Sequence, residues 1–255
     1  MALPQPVVVP AREGAQWLAA SFALFRVYWF RYVALAALFL LLMQLLSLVT
    51  AGLGVMLLKP ILSVGFLAAA WHHERGELPE VMHLFAGFRS NWKALIPLGG
   101  VYLLGVILTA SLAAAVTGLD IEALMAGKGP ELSDPIVTTF MLVTILLMLP
   151  VTAALWFAPA LVVFGDASFP AALRLSLIAW WRNLPAMAVY GVALIGSLFV
   201  LVLLLSPLLM LLGASRTTPV LMLAALPVTA IVMISDYVSY RAVFHRHETL
   251  KRVDR

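Results

Sequence analysis

Four stretches of this chain, 33–50, 94–117, 136–164 and 185–212, each run for at least 18 residues without a charged side chain. A bilayer core takes about 20 apolar residues in helical form, and in hydrocarbon the backbone must satisfy its own hydrogen bonds. Two further stretches, 53–71 and 219–240, have the same character apart from Lys59 and Asp236. The chain is 64% hydrophobic and 11% charged, whereas a soluble domain carries about 25% charged residues. The expected fold is therefore all-α, with six transmembrane helices in three hairpins. An alternative for the first pair is one long helix over 33–58 and a short re-entrant piece from Pro60.

Between the spans lie segments that mix charge with aromatic bulk. In 12–31, Leu18, Phe22, Phe25 and Trp29 recur at spacings of four, three and four, one face of a helix. Val81, Phe85, Phe88 and Trp92 repeat that stripe in 79–93, and Leu173, Leu177, Trp180 and Leu184 repeat it in 168–184. Phe22–Trp29 and Phe85–Trp92 share five of eight residues at an offset of 63, and a weaker copy follows at an offset of 155. Each segment is expected to be a cytoplasmic amphipathic helix lying at the interface ahead of a hairpin. Its anchors would be Trp17, Phe22, Phe25, Arg26 and Trp29, then Phe85, Phe88, Arg89 and Trp92, then Trp180, Trp181 and Arg182. The remainder is a loose Pro-rich tail (1–11), a net acidic outer loop (118–135) and a basic tail (241–255). The first apolar run is too long for a signal core and reads as an uncleaved anchor.

Orientation follows from lysine and arginine, which favour the cytoplasmic side. With the N-terminus inside, 13 of the 16 lie on that side, and only Lys59, Lys128 and Arg216 lie outside. Both termini are then expected in the cytoplasm. The net charge of +4 follows from this flanking and points to anionic lipid headgroups, not to nucleic acid. The chain has no cysteine, which excludes disulfides and thiolate chemistry.

Few residues suggest chemistry. His72, His73, His83 and Glu80 share one loop, and Glu80–His83 has a Glu-x-x-His spacing. Di-metal sites need two such copies, so a solvated loop is the expectation and no metal or cofactor is assigned. The tail carries His245-Arg246-His247-Glu248, which reads as solvated. Asp236 lies at membrane depth, where ionisable side chains are costly; pairing with Arg241 or with an arginine of an amphipathic segment is expected. Pro150 and Pro159 make 136–164 a candidate hinge. No nucleophile elbow, P-loop, dinucleotide fingerprint or zincin motif is present in the sequence.

Val9-Pro10-Ala11-Arg12-Glu13-Gly14-Ala15-Gln16-Trp17 with Phe25-Arg26, the segment 60–66, and Ser239-Tyr240-Arg241 with Phe244 resemble the pattern of a family of uncharacterised proteobacterial integral membrane proteins. The resemblance covers nearly the whole chain. It implies a multi-span bacterial inner-membrane protein and brings no activity.

The leading expectation is a non-catalytic scaffold, or a protein that interacts with lipid or with a partner, either a second copy or another membrane protein. The alternatives are a small transporter or channel subunit with a Pro-kinked fourth span, and a lipid-processing enzyme that uses the His72–His83 loop.

Overall fold

Six helices long and apolar enough to cross a membrane dominate the computed structural model, which describes residues 3–246 apart from 132. Among the described residues there is no strand. Helix α1 (Glu13–Val27) leads to α2 (Trp29–Thr50) and α3 (Leu53–Glu74). A 3₁₀ turn (Val81–Phe85) and α4 (Ala86–Arg89) precede α5 (Trp92–Thr117). After α6 (Ile121–Met125) come α7 (Pro135–Leu155), α8 (Ala158–Phe164) and α9 (Phe169–Arg182). The last pair is α10 (Leu184–Leu212) and α11 (Ala214–Phe244). The spans are α2, α3, α5, α7 with α8, α10 and α11. The α2–α3 reversal is made at Ala51 and Gly52, both at positive φ.

Consecutive spans alternate in direction, and the packed core collects at one end of the bundle. Fully buried side chains come from the start of α2 (Tyr32, Leu35), the second half of α3 (Phe66), the start of α5 (Leu95, Leu98), α8 and the residue before it (Leu161, Phe157) and the last turns of α11 (Ile234, Tyr240). At the other end the helices present bare apolar side chains, among them Leu48, Val49, Leu108, Val116, Leu146, Leu204 and Leu211. Such a surface requires hydrocarbon as its solvent. The segments around Val7 and Val243 meet at the packed end, where the Val7 N–H donates to the Val243 carbonyl at 2.9 Å.

Glycines set the closest helix contacts. Gly99 of α5 faces the backbone of Leu57 on α3, Gly14 of α1 faces Ala186 and Tyr190 on α10, and Gly87 faces Ile61. Small residues let backbones approach in this way where no hydrophobic force separates protein from lipid.

The three stripe-bearing segments take three different forms. The first is helical only to Val27; the backbone breaks at Tyr28, and Trp29 already belongs to the first span. The second is a five-residue 3₁₀ turn and a four-residue helix. Pro79, the close contact at Gly87 and the extended Ser90 leave no room for a longer one. The third is a 14-residue helix. The Pro-rich tail is not free either. Asn183 accepts the Val9 N–H at 2.8 Å through its side-chain oxygen, and its amide donates to the carbonyls of Val7 at 3.0 Å and Ala179 at 2.9 Å.

Candidate functional site

The site at the packed end is built around α1, which rests on both α10 and α11. The buried face of α1 is Gly14, Trp17, Ser21 and Phe25. Trp17 is seated beside the Tyr190 ring at 6.1 Å, and its indole N–H has no acceptor among the described residues. Phe22 and Arg26 stay exposed.

Beside α1 a cleft of about 500 Å³ opens toward α3 and α11. Ala20, Ala23, Leu24, Val238 and Ala242 form its apolar part, and Glu13, Glu74, Arg241, His245 and Arg246 its polar part. Glu74 is paired with the Arg241 guanidinium and accepts the Tyr237 hydroxyl at 2.7 Å. Glu13 accepts from Arg246 at 2.7 Å. Tyr240 and His245 are hydrogen-bonded at 2.9 Å. The expected pairing of Asp236 with Arg241 is not made; Arg241 pairs with Glu74 instead. The Asp236 carboxylate makes no hydrogen bond or ion pair among the described residues, and Lys59 is the cation whose field reaches it. Lys59 itself lies over the Tyr102 ring at 4.9 Å.

The histidines converge in part. His72 is bonded to Glu77, and its ring stacks on His83 at 4.5 Å. His73 turns away to the Tyr32 hydroxyl at 3.1 Å and the Tyr28 ring at 4.8 Å. Glu80 and His83 form a capping box over the 3₁₀ turn. In it the His83 Nδ1 accepts the Glu80 N–H at 2.9 Å, which puts the proton of the neutral ring on Nε2. Among the described residues no three His, Asp or Glu side chains share a point that could hold a metal. Of the tail motif, His247 and Glu248 lie outside the described residues.

Burial, with His72 beside it, holds His83 below its ordinary value near 6.5, against the pull of Glu80 and Glu77. The unfolded chain then binds the proton more readily than the folded one, so this contribution to stability is complete above about pH 6.5 and is lost as pH falls below it. The melting temperature of the wild type should fall more steeply between about pH 8 and about pH 5 than that of His83→Gln, in which glutamine can still close the capping box. Parallel profiles would exclude His83 as the source.

The fourth span breaks at Trp156 and Phe157, between the two prolines. Pro150 lies within α7, exposed, and Pro159 lies in the first turn of α8, where no N–H is needed. Ser176 of α9 spans the break: its hydroxyl accepts the Phe157 N–H and donates to the Ala153 carbonyl, both at 2.9 Å.

The remaining anchors divide by exposure. Trp29, Phe88, Arg89, Trp92, Trp181 and Arg182 are exposed, Phe85 is half-buried, and Trp180 is buried. Exposed tryptophans thus sit next to cations where three spans begin: Trp29 near Arg31, Trp92 beside Lys93, and Trp181 beside Arg182.

Six apolar helices with an aromatic and cationic fringe at the packed end define a polytopic α-helical membrane protein. The chain is 32% identical to a probable inner membrane protein of Burkholderia thailandensis over 255 positions, which cover 94% of this chain and 94% of the relative. It belongs to that family of probable inner membrane proteins. No protein-family model and no solved structure matches it.

Proposed function

We propose that this is a non-catalytic component of the bacterial inner membrane, with both termini in the cytoplasm, that engages anionic lipid headgroups through the fringe of its packed end. The observation that carries this reading is that an exposed tryptophan stands beside an exposed cation in sequence at the start of three spans. Tryptophan favours headgroup depth, and each basic residue beside it attracts anionic lipid by about 1 kcal/mol. The excess of lysine and arginine on the same side supports the orientation. The Ser176 clamp supports a static fourth span, since both backbone groups at its break already have partners.

The test is reconstitution into vesicles of graded phosphatidylglycerol content, with retained lipid measured after extraction. The wild type should enrich phosphatidylglycerol, and Arg31→Gln, Lys93→Gln and Arg182→Gln together should remove the enrichment at about 1 kcal/mol per charge. Equal enrichment by the triple variant would overturn the proposal.

A further inference from the structure

We infer that the cleft between α1, α3 and α11 is a binding site for a phosphate–ammonium zwitterion, the headgroup chemistry of phosphatidylethanolamine. This site is separate from the tryptophan–cation fringe. It lies where α3 and α11 end, at Glu74 and over Val238–Arg246, and so at the level where headgroups begin.

Three features specify the ligand. First, the charges balance: two carboxylates, Glu13 and Glu74, face two guanidinium groups, Arg241 and Arg246. A simple anion drawn to the arginines also meets the carboxylates, which select against it. A ligand carrying both signs finds a partner for each end.

Second, the hydrogen-bonding capacity of these groups is only partly used. A guanidinium has five N–H donors. Arg241 gives one hydrogen bond to Glu74, Arg246 gives one to Glu13, and neither makes another among the described residues. Both are a third or more exposed, at 35% and 39%. Their free forks suit phosphate oxygens. The second carboxylate oxygen of Glu13 carries no hydrogen bond among the described residues and suits an ammonium. Glu74 is fixed by Tyr237 and Arg241 together, so that side of the cleft is held in place.

Third, the rest of the lining is small and apolar. Ala20 and Ala23 on α1 and Ala242 on α11 leave the space, and Leu24 and Val238 line it with hydrocarbon. That surface would accept the glycerol end of a lipid.

Native mass spectrometry of the full chain in detergent tests the site with equimolar phosphatidylethanolamine and phosphatidylglycerol, on a chain carrying Arg31→Gln, Lys93→Gln and Arg182→Gln so that the fringe no longer draws phosphatidylglycerol. The expected result is retention of phosphatidylethanolamine over phosphatidylglycerol by about tenfold, the worth of one charge-assisted bond. Arg246→Gln should abolish that preference. Ala23→Leu should abolish it too, by filling the cleft from an exposed position without touching a charge. Circular dichroism melting identifies any variant that fails to fold. Soluble phosphoethanolamine separates the sources: competition assigns the site to the headgroup alone, and retention without competition assigns it to the whole lipid. Equal retention of both lipids, or unchanged preference in Ala23→Leu, would overturn the inference. Because the fringe charges are already absent from this chain, the fringe proposal and the cleft proposal fail separately.

Discussion

Gly99→Val is expected to destabilise the bundle by about 3 kcal/mol, the upper end for overpacking a filled contact. A Cβ at this position would stand 2.0 Å from the Leu57 carbonyl oxygen and 2.7 Å from its Cα. Those are backbone atoms of α3, which cannot rotate away as a side chain can. Relief requires α3 and α5 to separate, and with them Leu95 and Leu98, which are fully buried. The neighbouring residue supplies the control. Gly100 has nothing within 4 Å of its would-be Cβ, so Gly100→Ala should gain up to about 1 kcal/mol of helix propensity. Melting of the two variants in detergent should move in opposite directions. Equal melting temperatures would mean that the α3–α5 contact does not limit stability.

Asn183→Ala should cost about 3 kcal/mol and free the N-terminal segment. The side chain is fully buried, and its amide serves three backbone groups: the Val9 N–H and the carbonyls of Val7 and Ala179. Alanine leaves the Val9 N–H without an acceptor, and an unsatisfied buried donor costs about 1–3 kcal/mol. Asn183→Asp keeps the acceptor but removes the donors and buries a charge, so it should be no better than alanine. Limited proteolysis should then cut before Glu13 in both variants and spare the wild type. Wild-type resistance retained by Asn183→Ala would show that the Val7–Val243 bond alone holds the tail.

The spans were legible because hydropathy depends only on composition over a window. Four uncharged runs of 18 residues or more, and two interrupted only by Lys59 or Asp236, needed no knowledge of their neighbours, and all six appear as helical spans. Contacts between spans were less legible. The stripe of Leu18, Phe22, Phe25 and Trp29 is an apolar stripe, but the face that α1 buries is Gly14, Trp17, Ser21 and Phe25. Where lipid is as apolar as leucine, close packing selects small residues, and a search for bulk finds the wrong phase. The likeness of Phe85–Trp92 to Phe22–Trp29 carried no information about shape, because Gly87 is pressed against Ile61 and the segment stays a short turn. Arg241 shows the same limit at the site. The nearest acid in sequence was Asp236, but the pair is made with Glu74, 167 positions away. The Asn183 clasp reaches back over 174 positions. The signal available was the residue type: an uncapped asparagine between two helices, with an amide that both donates and accepts.

The seating of α1 on α10 and α11 also bears on how the protein is made. Chains are synthesised from the N-terminus, and early segments begin to fold first. Here α1 leaves the ribosome well before α10 and α11, which form its binding surface. Gly14 needs Ala186 and Tyr190, Glu13 needs Arg246, and the tail ahead of them needs Asn183 and Val243. Until α10 and α11 are inserted, α1 has no protein surface to cover Trp17, and it must wait against the bilayer. Helix α1 is therefore made before the spans and seated only after α10 and α11, and its docking reports that those two helices have been inserted.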